Sequence, residues 1–339
     1  MSNLADIQLP SLIDSISSLS FHPTNPDLLL TSSWDQHVYL TNLQYPSNQQ
    51  KLAIRGAILD VCWAPDSNTM AYVGGLGKEV RSVDFDSQES QLIAKHDEPV
   101  KCVEYCAELK SVVSASWDST LKITPIDPST RQPSPSLTLP LPDKAYSLSL
   151  SPSKIVVAMG SRHVYIYDIP TLQAALDEKK EGAEVEVWSK RESNLKFMTR
   201  SIACMPDDTG YAMTSIEGRV AVEFFSESKQ SKKYAFKCHR QVIEGTDTVY
   251  PVQGLTFNPV HGTFSTGGGD ATVSLWDPFA KKRLRQFSKY PNPISALAFS
   301  CDGKRLAVAF SQDDEGGKGE GGNGVWIREC GDEVKPKGK

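Results

Sequence analysis

Short runs in which apolar residues alternate with small or polar ones recur along the chain, each closing on a large side chain. SLSF ends at Phe21, DVCW at Trp63, CVEY at Tyr105, LSLS near Leu150, IACM at Met205, GLTF at Phe257 and ALAF at Phe299. Successive ends lie 42, 42, 45, 55, 52 and 42 residues apart. A spacing of roughly 40–45 residues is that of a four-stranded propeller blade, so the two long intervals mark insertions. After most runs come a turn rich in Pro, Asn, Asp or Gly, a second apolar strand, small residues and a third strand, as in HPTNPDLLLTSSWDQHVYLTNL and GTFSTGGGDATVSLWD. Alternation about a tight polar turn has the period of hairpins, not helices. The pattern predicts an all-β chain, a seven-bladed β-propeller with four-stranded antiparallel blades.

One propeller is expected over residues 1–330, with blades near 11–46, 57–90, 99–130, 144–170, 185–226, 250–287 and 293–330, and a disordered tail over 331–339. A chain of 339 residues exceeds the roughly 250–300 at which one core stops growing, unless the core grows by repetition. The Pro-rich stretch Arg131 to Asp143 reads as a crossing between blades, since proline removes ladder donors. LQAALDEKKEGAEVEVW, between blades four and five, reads as a short helical or loop insertion, and FSESKQSKKYAFKCHRQVIEGTDTVYPV stretches the link between five and six. Ser311 to Gly324 is Gly-rich and acidic and reads as a mobile loop. Both sheet ends would stay open unless Asp6 to Leu9 pairs with GVWIREC, an N-terminal strand closing the last blade. A closed ring leaves no edge to pair, which favours a monomer.

Composition narrows the function. A net charge of −5 and a pI near 5.8 argue against a global preference for nucleic acid or an anionic membrane. Met1 to Pro10 carries no basic or apolar leader pattern, and nowhere do ~18 apolar residues run together, so a soluble intracellular protein without membrane contact is expected. Seven cysteines, with no CxxC pair, indicate neither a disulfide framework nor a zinc site. GGLGKEV (Gly74 to Val80) lacks the spacing of a phosphate-binding loop, no HExxH or GxSxG occurs, and no cofactor or metal is expected. His96 reads as a structural residue bonding a turn aspartate, and no enzyme is expected.

Two features invite a binding role. Ser33-Trp34-Asp35 and Ser116-Trp117-Asp118 occupy equivalent turns. The aspartates can fix those turns, whereas Trp34 and Trp117 either cap the core or face a ligand. Basic residues also recur: Arg191 and Arg200 in KRESNLKFMTR, Arg219 beside Glu217 in SIEGRVAVE, and Lys237, His239 and Arg240 in YAFKCHR. If Arg200, Arg219 and Arg240 share one rim, their guanidinium forks could take glutamates or a phosphate; otherwise they are scattered, solvated charges.

The strings SSWD, HDEPVKCVEYC, SASWD, KRESNLKFMTR, TSIEGRVAVEFF, KKYAFKCHR and ALAFSCDGKRLAVA resemble the WD40 propellers of the spindle-checkpoint budding-uninhibited-by-benzimidazole group, third member, the Bub-three/Rae-one family. IEGRVAVE and YAFKCHR carry most of that likeness, since no general propeller rule dictates them. The resemblance implies a mitotic adaptor, nuclear and at kinetochores in mitosis. It would bind GLEBS-type segments of checkpoint kinases and phosphorylated Met-Glu-Leu-Thr repeats of the outer-kinetochore scaffold. Arg200 and its neighbours would then meet the segment's glutamates, Arg219 and Arg240 the phosphothreonine, and Trp34 the groove. The alternative is the related messenger-RNA export propeller, which docks GLEBS segments at the nuclear pore; the acidic pI and KKYAFKCHR weigh against it. An enzyme or a purely structural subunit are the remaining classes.

Overall fold

Second strands such as Leu28–Ser33 and Ser111–Ser116 are buried at every position. Such a strand is covered on both faces, so it reads as an unbroken apolar and small run, while outer strands such as Tyr234–Lys237 alternate between half-buried and exposed. The computed structural model describes residues 6–178, 185–287, 289–312 and 322–337. Seven four-stranded antiparallel sheets succeed one another. Their inner strands are Ile16–Phe21, Ile58–Trp63, Val100–Cys106, Ala145–Leu150, Thr199–Cys204, Val252–Phe257 and Ile294–Phe299. Each inner strand touches the next and the seventh returns to the first, closing a ring. The core is divided to match: seven apolar clusters, one in each seam between consecutive blades.

Ring closure follows the expected latch. Ile7–Gln8 is the outer strand of blade seven, with Ile7 opposite Ile327 and Gln8 opposite Trp326. The Asp6 carboxylate accepts from Arg328 at 2.7 Å. Leu9 and Leu12 are buried in the seam between blades seven and one.

Several limits move. Outer strands run past the expected blade ends, to Ala53, Lys95, Pro140 and Lys237 in blades one, two, three and five. Part of the Pro-rich stretch is therefore no crossing: Leu137–Pro140 is the outer strand of blade three, where a proline on the free edge costs no ladder bond. The insertion beginning with the helix Ile169–Asp177 lies within blade four, not after it, because Ser189–Glu192 returns to pair with His163–Asp168. The long link between blades five and six holds an extra hairpin, Arg240–Ile243 against Thr246–Val249. The tail is not wholly loose: Asp332–Val334 forms a 3-10 turn, Val334 is buried in the seam of blades six and seven, and its carbonyl accepts from Thr263 Oγ1 at 2.7 Å. Most of the loop expected at 311–324 lies outside the described residues, though Ser311 is anchored, accepting the Ile16 N–H at 2.9 Å.

Candidate peptide-binding face

The upper face of the ring carries the turns between second and third strands and the connections from outer to inner strands. In every blade one turn N–H donates to the residue just before the inner strand: Trp34 to Ser15, Leu76 to Ala57, Trp117 to Pro99, Gly160 to Lys144, Ile216 to Met198, Gly269 to Pro251 and Ser311 to Pro293, over 2.9–3.2 Å. The backbone bond is thus indifferent to the side chain. Asp35 and Asp118 do fix their turns, taking the N–H of His37 and of Thr120, each at 2.9 Å. Trp34 is 44% exposed, and the Trp117 indole N–H is buried without a hydrogen-bond partner.

One residue into each inner strand the pairing register slips: the skipped residues are Ser17, Leu59, Lys101, Tyr146, Arg200, Gln253 and Ser295. A bulge turns its side chain out of the regular alternation, and all seven line the central channel of about 900 Å³, with Trp34, Trp117 and Met198. Arg200 and Lys101 therefore make the channel lip basic, while Asp60 and Glu104, on the inner strands of blades two and three, also line the channel. Burial, with the Asp60 charge behind it, pushes the Glu104 carboxyl up to about 8.

Further out on blade five lies a second basic group. Arg219 begins the third strand and stands directly opposite exposed Lys237 on the outer strand, so both project from the same face. Arg240 leads the extra hairpin, its guanidinium bonding the Glu217 carbonyl at 3.0 Å and Asp247 at 3.2 Å. Glu217 lies between the two arginines, 3.4 Å from Arg219 Nε and 3.9 Å from Arg240. The turn that presents Glu217 needs Gly218, whose φ is +63° and whose added Cβ would sit 2.7 Å from the Cys238 carbonyl.

Two expected site residues are not on this face. His239 has no side-chain exposure; Nδ1 meets Asp270 and Nε2 meets Thr266, each at 2.8 Å. It does for blade six what His96 does for blade three, where Nδ1 meets Asp118 and Nε2 meets Ser114, each at 2.9 Å. Arg191 turns into the seam between blades four and five, bonding the carbonyls of Phe224 and Phe225 and lying 3.7 Å from buried Glu223. Both are structural, so the expectation that they bind peptide is corrected. Trp34, Trp117 and Arg200 gather at the channel mouth, whereas Glu217, Arg219, Lys237 and Arg240 form the separate blade-five cluster. Lys101 and Tyr146 escape the sequence reading although they share the bulge position of Arg200; Met198, just before that strand, carries no such signal. Exposed large apolar residues also favour this face, which carries Ile13, Trp34, Phe197, Met198, Val242, Ile243 and Val249.

The profile of the WD domain, G-beta repeat, matches residues 10–42, 77–124 and 234–277. Mitotic checkpoint protein BUB3.1 of Arabidopsis thaliana is 42% identical, the alignment covering 96% of this chain and 93% of that protein. Mitotic checkpoint protein bub3 of Dictyostelium discoideum is 35% identical, over 94% and 91%. The mRNA export factor GLE2 of Chaetomium thermophilum is 32% identical, over 96% and 90%. With identity at this level across nearly the whole length, on a seven-bladed ring of WD repeats, the chain belongs to the Bub3/Rae1 family of propellers.

Proposed function

We propose that this protein is a non-catalytic adaptor of the mitotic spindle checkpoint that holds acidic peptides on the upper face of its ring. A GLEBS-type segment of a checkpoint kinase lies across the channel mouth, its glutamates against Arg200 and Lys101 and its apolar side chains against Trp34, Trp117 and Met198. A phosphorylated Met-Glu-Leu-Thr motif of the kinetochore scaffold takes the blade-five cluster. Recruitment of the kinases to unattached kinetochores follows, with the protein nuclear and, in mitosis, kinetochore-bound. The observation that carries this reading is the convergence of Arg219, Lys237 and Arg240, with the Nε of both arginines buried and lacking hydrogen-bond partners. Donors in that condition gain most from a phosphate, whose oxygens accept charge-assisted bonds. Further in, Asp60 and Glu104 offer no cation to an acidic segment, which leaves Arg200 and Lys101 at the lip as its partners.

A non-catalytic role agrees with the histidines. His96 lies between Ser114 and Asp118 in the order of a hydrolytic triad, but Ser114 is fully buried and the His96 side chain has no exposure, so no substrate reaches them. The similarity to an mRNA export factor favours a second reading, docking of GLEBS segments at the nuclear pore. Calorimetric titration with phosphorylated and unphosphorylated Met-Glu-Leu-Thr peptides, and separately with a checkpoint-kinase GLEBS segment, decides between them. Selective binding of the phosphorylated peptide, abolished in an Arg219→Ala/Arg240→Ala variant of unchanged melting temperature, is the expected result. GLEBS binding without any response to phosphopeptide points to the export reading.

A further inference from the structure

Glu217 sits where the ligand of its own site would sit. Its carboxylate lies between two guanidinium groups, yet at 3.4 and 3.9 Å it is beyond the 2.7–3.2 Å of a good N–H···O bond. Its Oε2, Arg219 Nε and Arg240 Nε are all buried without hydrogen-bond partners. The trio therefore satisfies charge without satisfying geometry. Charged neighbours among the described residues are Lys237, opposite Arg219, and Asp247, on the far side of Arg240 at 3.2 Å. Three cations thus face two carboxylates, and the group nearest both arginines belongs to the protein itself.

We propose that Glu217 is a built-in competitor that raises the threshold for binding at the blade-five cluster, so that weak carboxylate ligands are held off while a phosphate still binds, a property that rests on reading the cluster as a phosphopeptide site. A glutamate or aspartate arriving from a partner offers one negative charge and two oxygens, which is what Glu217 already supplies, so the exchange gains little. A phosphothreonine brings a charge of about −1.5 to −2 and three strong acceptor oxygens. It can displace the Glu217 carboxylate and bond the idle Nε donors. Glu217 thereby suppresses binding of unphosphorylated acidic sequences, which a cluster of bare cations would retain.

The test compares two peptides by fluorescence anisotropy: the Met-Glu-Leu-Thr motif with phosphothreonine, and the same motif with glutamate at the threonine. Each is titrated against the unaltered protein and against Glu217→Gln, with Glu217→Ala as a second variant; melting curves establish that each is folded. Removing the competitor should raise affinity for the glutamate peptide about two- to fivefold, the scale of one charge pair at a partly exposed site. Affinity for the phosphopeptide should rise by a similar factor, since either ligand has to displace the same carboxylate. A merely structural Glu217 would leave both affinities unchanged or lower them, so either outcome in a folded variant overturns the competitor role alone. Failure of the unaltered protein to bind phosphopeptide overturns the reading of the cluster, and the competitor role with it.

Discussion

Trp34 and Asp35 are neighbours in one turn with opposite jobs, and substitution should separate them. The backbone bond made at Trp34 is made equally well by Leu76, Gly160, Ile216, Gly269 and Ser311 in other blades, so the fold does not ask for an indole there. Trp34→Ala should leave the melting temperature within a degree or two, because surface changes away from such anchoring features stay within about 0.5 kcal/mol. It should weaken GLEBS-peptide binding markedly, as removal of an exposed aromatic anchor does. Asp35 is the reverse case: its carboxylate takes the His37 N–H and the Tyr39 hydroxyl. Asp35→Ala leaves a part-buried hydroxyl and a backbone donor without partners, a loss of about 1–3 kcal/mol, and should lower the melting temperature while touching no ligand. Paired melting and calorimetric curves for the two variants check both statements; a large loss of stability in Trp34→Ala would make the indole a core residue.

Blade turns are tied to the loops before them by buried histidines, which gives the elements a pH signature. Burial lowers the pKa of His22, despite the Ser67 carbonyl beside it, and that of His96, despite the charge of Asp118. The unfolded chain then takes up protons near 6.5 while the folded ring resists them, so stability is complete above that pH and declines as the pH falls below it. Burial works to raise Asp118 and Asp270, but bonds from Thr120 and the Asp97 N–H, and from His239 and Thr272, outweigh it and hold both below 3.8. Their contribution therefore persists until the carboxylate range. Melting temperatures should be level from pH 8 to 7 and fall from about pH 6.5 to 5; a level profile down to pH 5 would mean that the histidines titrate alike in both states. The same elements show what was legible beforehand. Seven inner strands, the latch and the role of His96 could be read from period, edge and turn chemistry. His239 could not: the extra hairpin between it and blade six stretches its distance to Asp270 to 31 residues, against 22 from His96 to Asp118. Outer strands such as Ser189–Glu192 and Leu137–Pro140 escaped as well. Half-exposed and only four residues long, they bury too little apolar surface to impose alternation. Arg191 stood among charges that looked solvated, because its partners are backbone carbonyls of the next blade, which no local pattern announces.

At the scale of the ring, closure depends on a very short element. Ile7–Gln8 pairs through two residues only, and the Leu9 and Leu12 N–H groups extend it to Val325 and Asn323 at 3.0 and 3.1 Å. Leu9 and Leu12 fill the same seam as Ala307, Val325 and Ile327 of blade seven and Leu19, Phe21 and Leu29 of blade one. Arg328, stacked 4.4 Å from the Phe287 ring, needs Asp6 as its counter-charge. Deleting residues 1–10 therefore removes one buried leucine, worth about 1.5–3 kcal/mol, leaves a partly buried guanidinium without its carboxylate, and bares the edge of Gly324–Glu329. Other blades keep their seams, so the ring should still form, but with a melting temperature lower by roughly 3–8 °C, at ~1.5 °C per kcal/mol for a chain of this size. An exposed, twisted edge of six residues is also a template for pairing, so the truncated protein should self-associate in sedimentation at concentrations where the full chain does not. Arg328→Ala offers the independent comparison, since it removes the ion pair while keeping the strand: it should cost part of the stability and none of the edge protection. If truncation lowers neither the melting temperature nor the fraction of monomer, closure resides in the seam packing of blades seven and one, and the terminal strand is an ornament on a ring already shut.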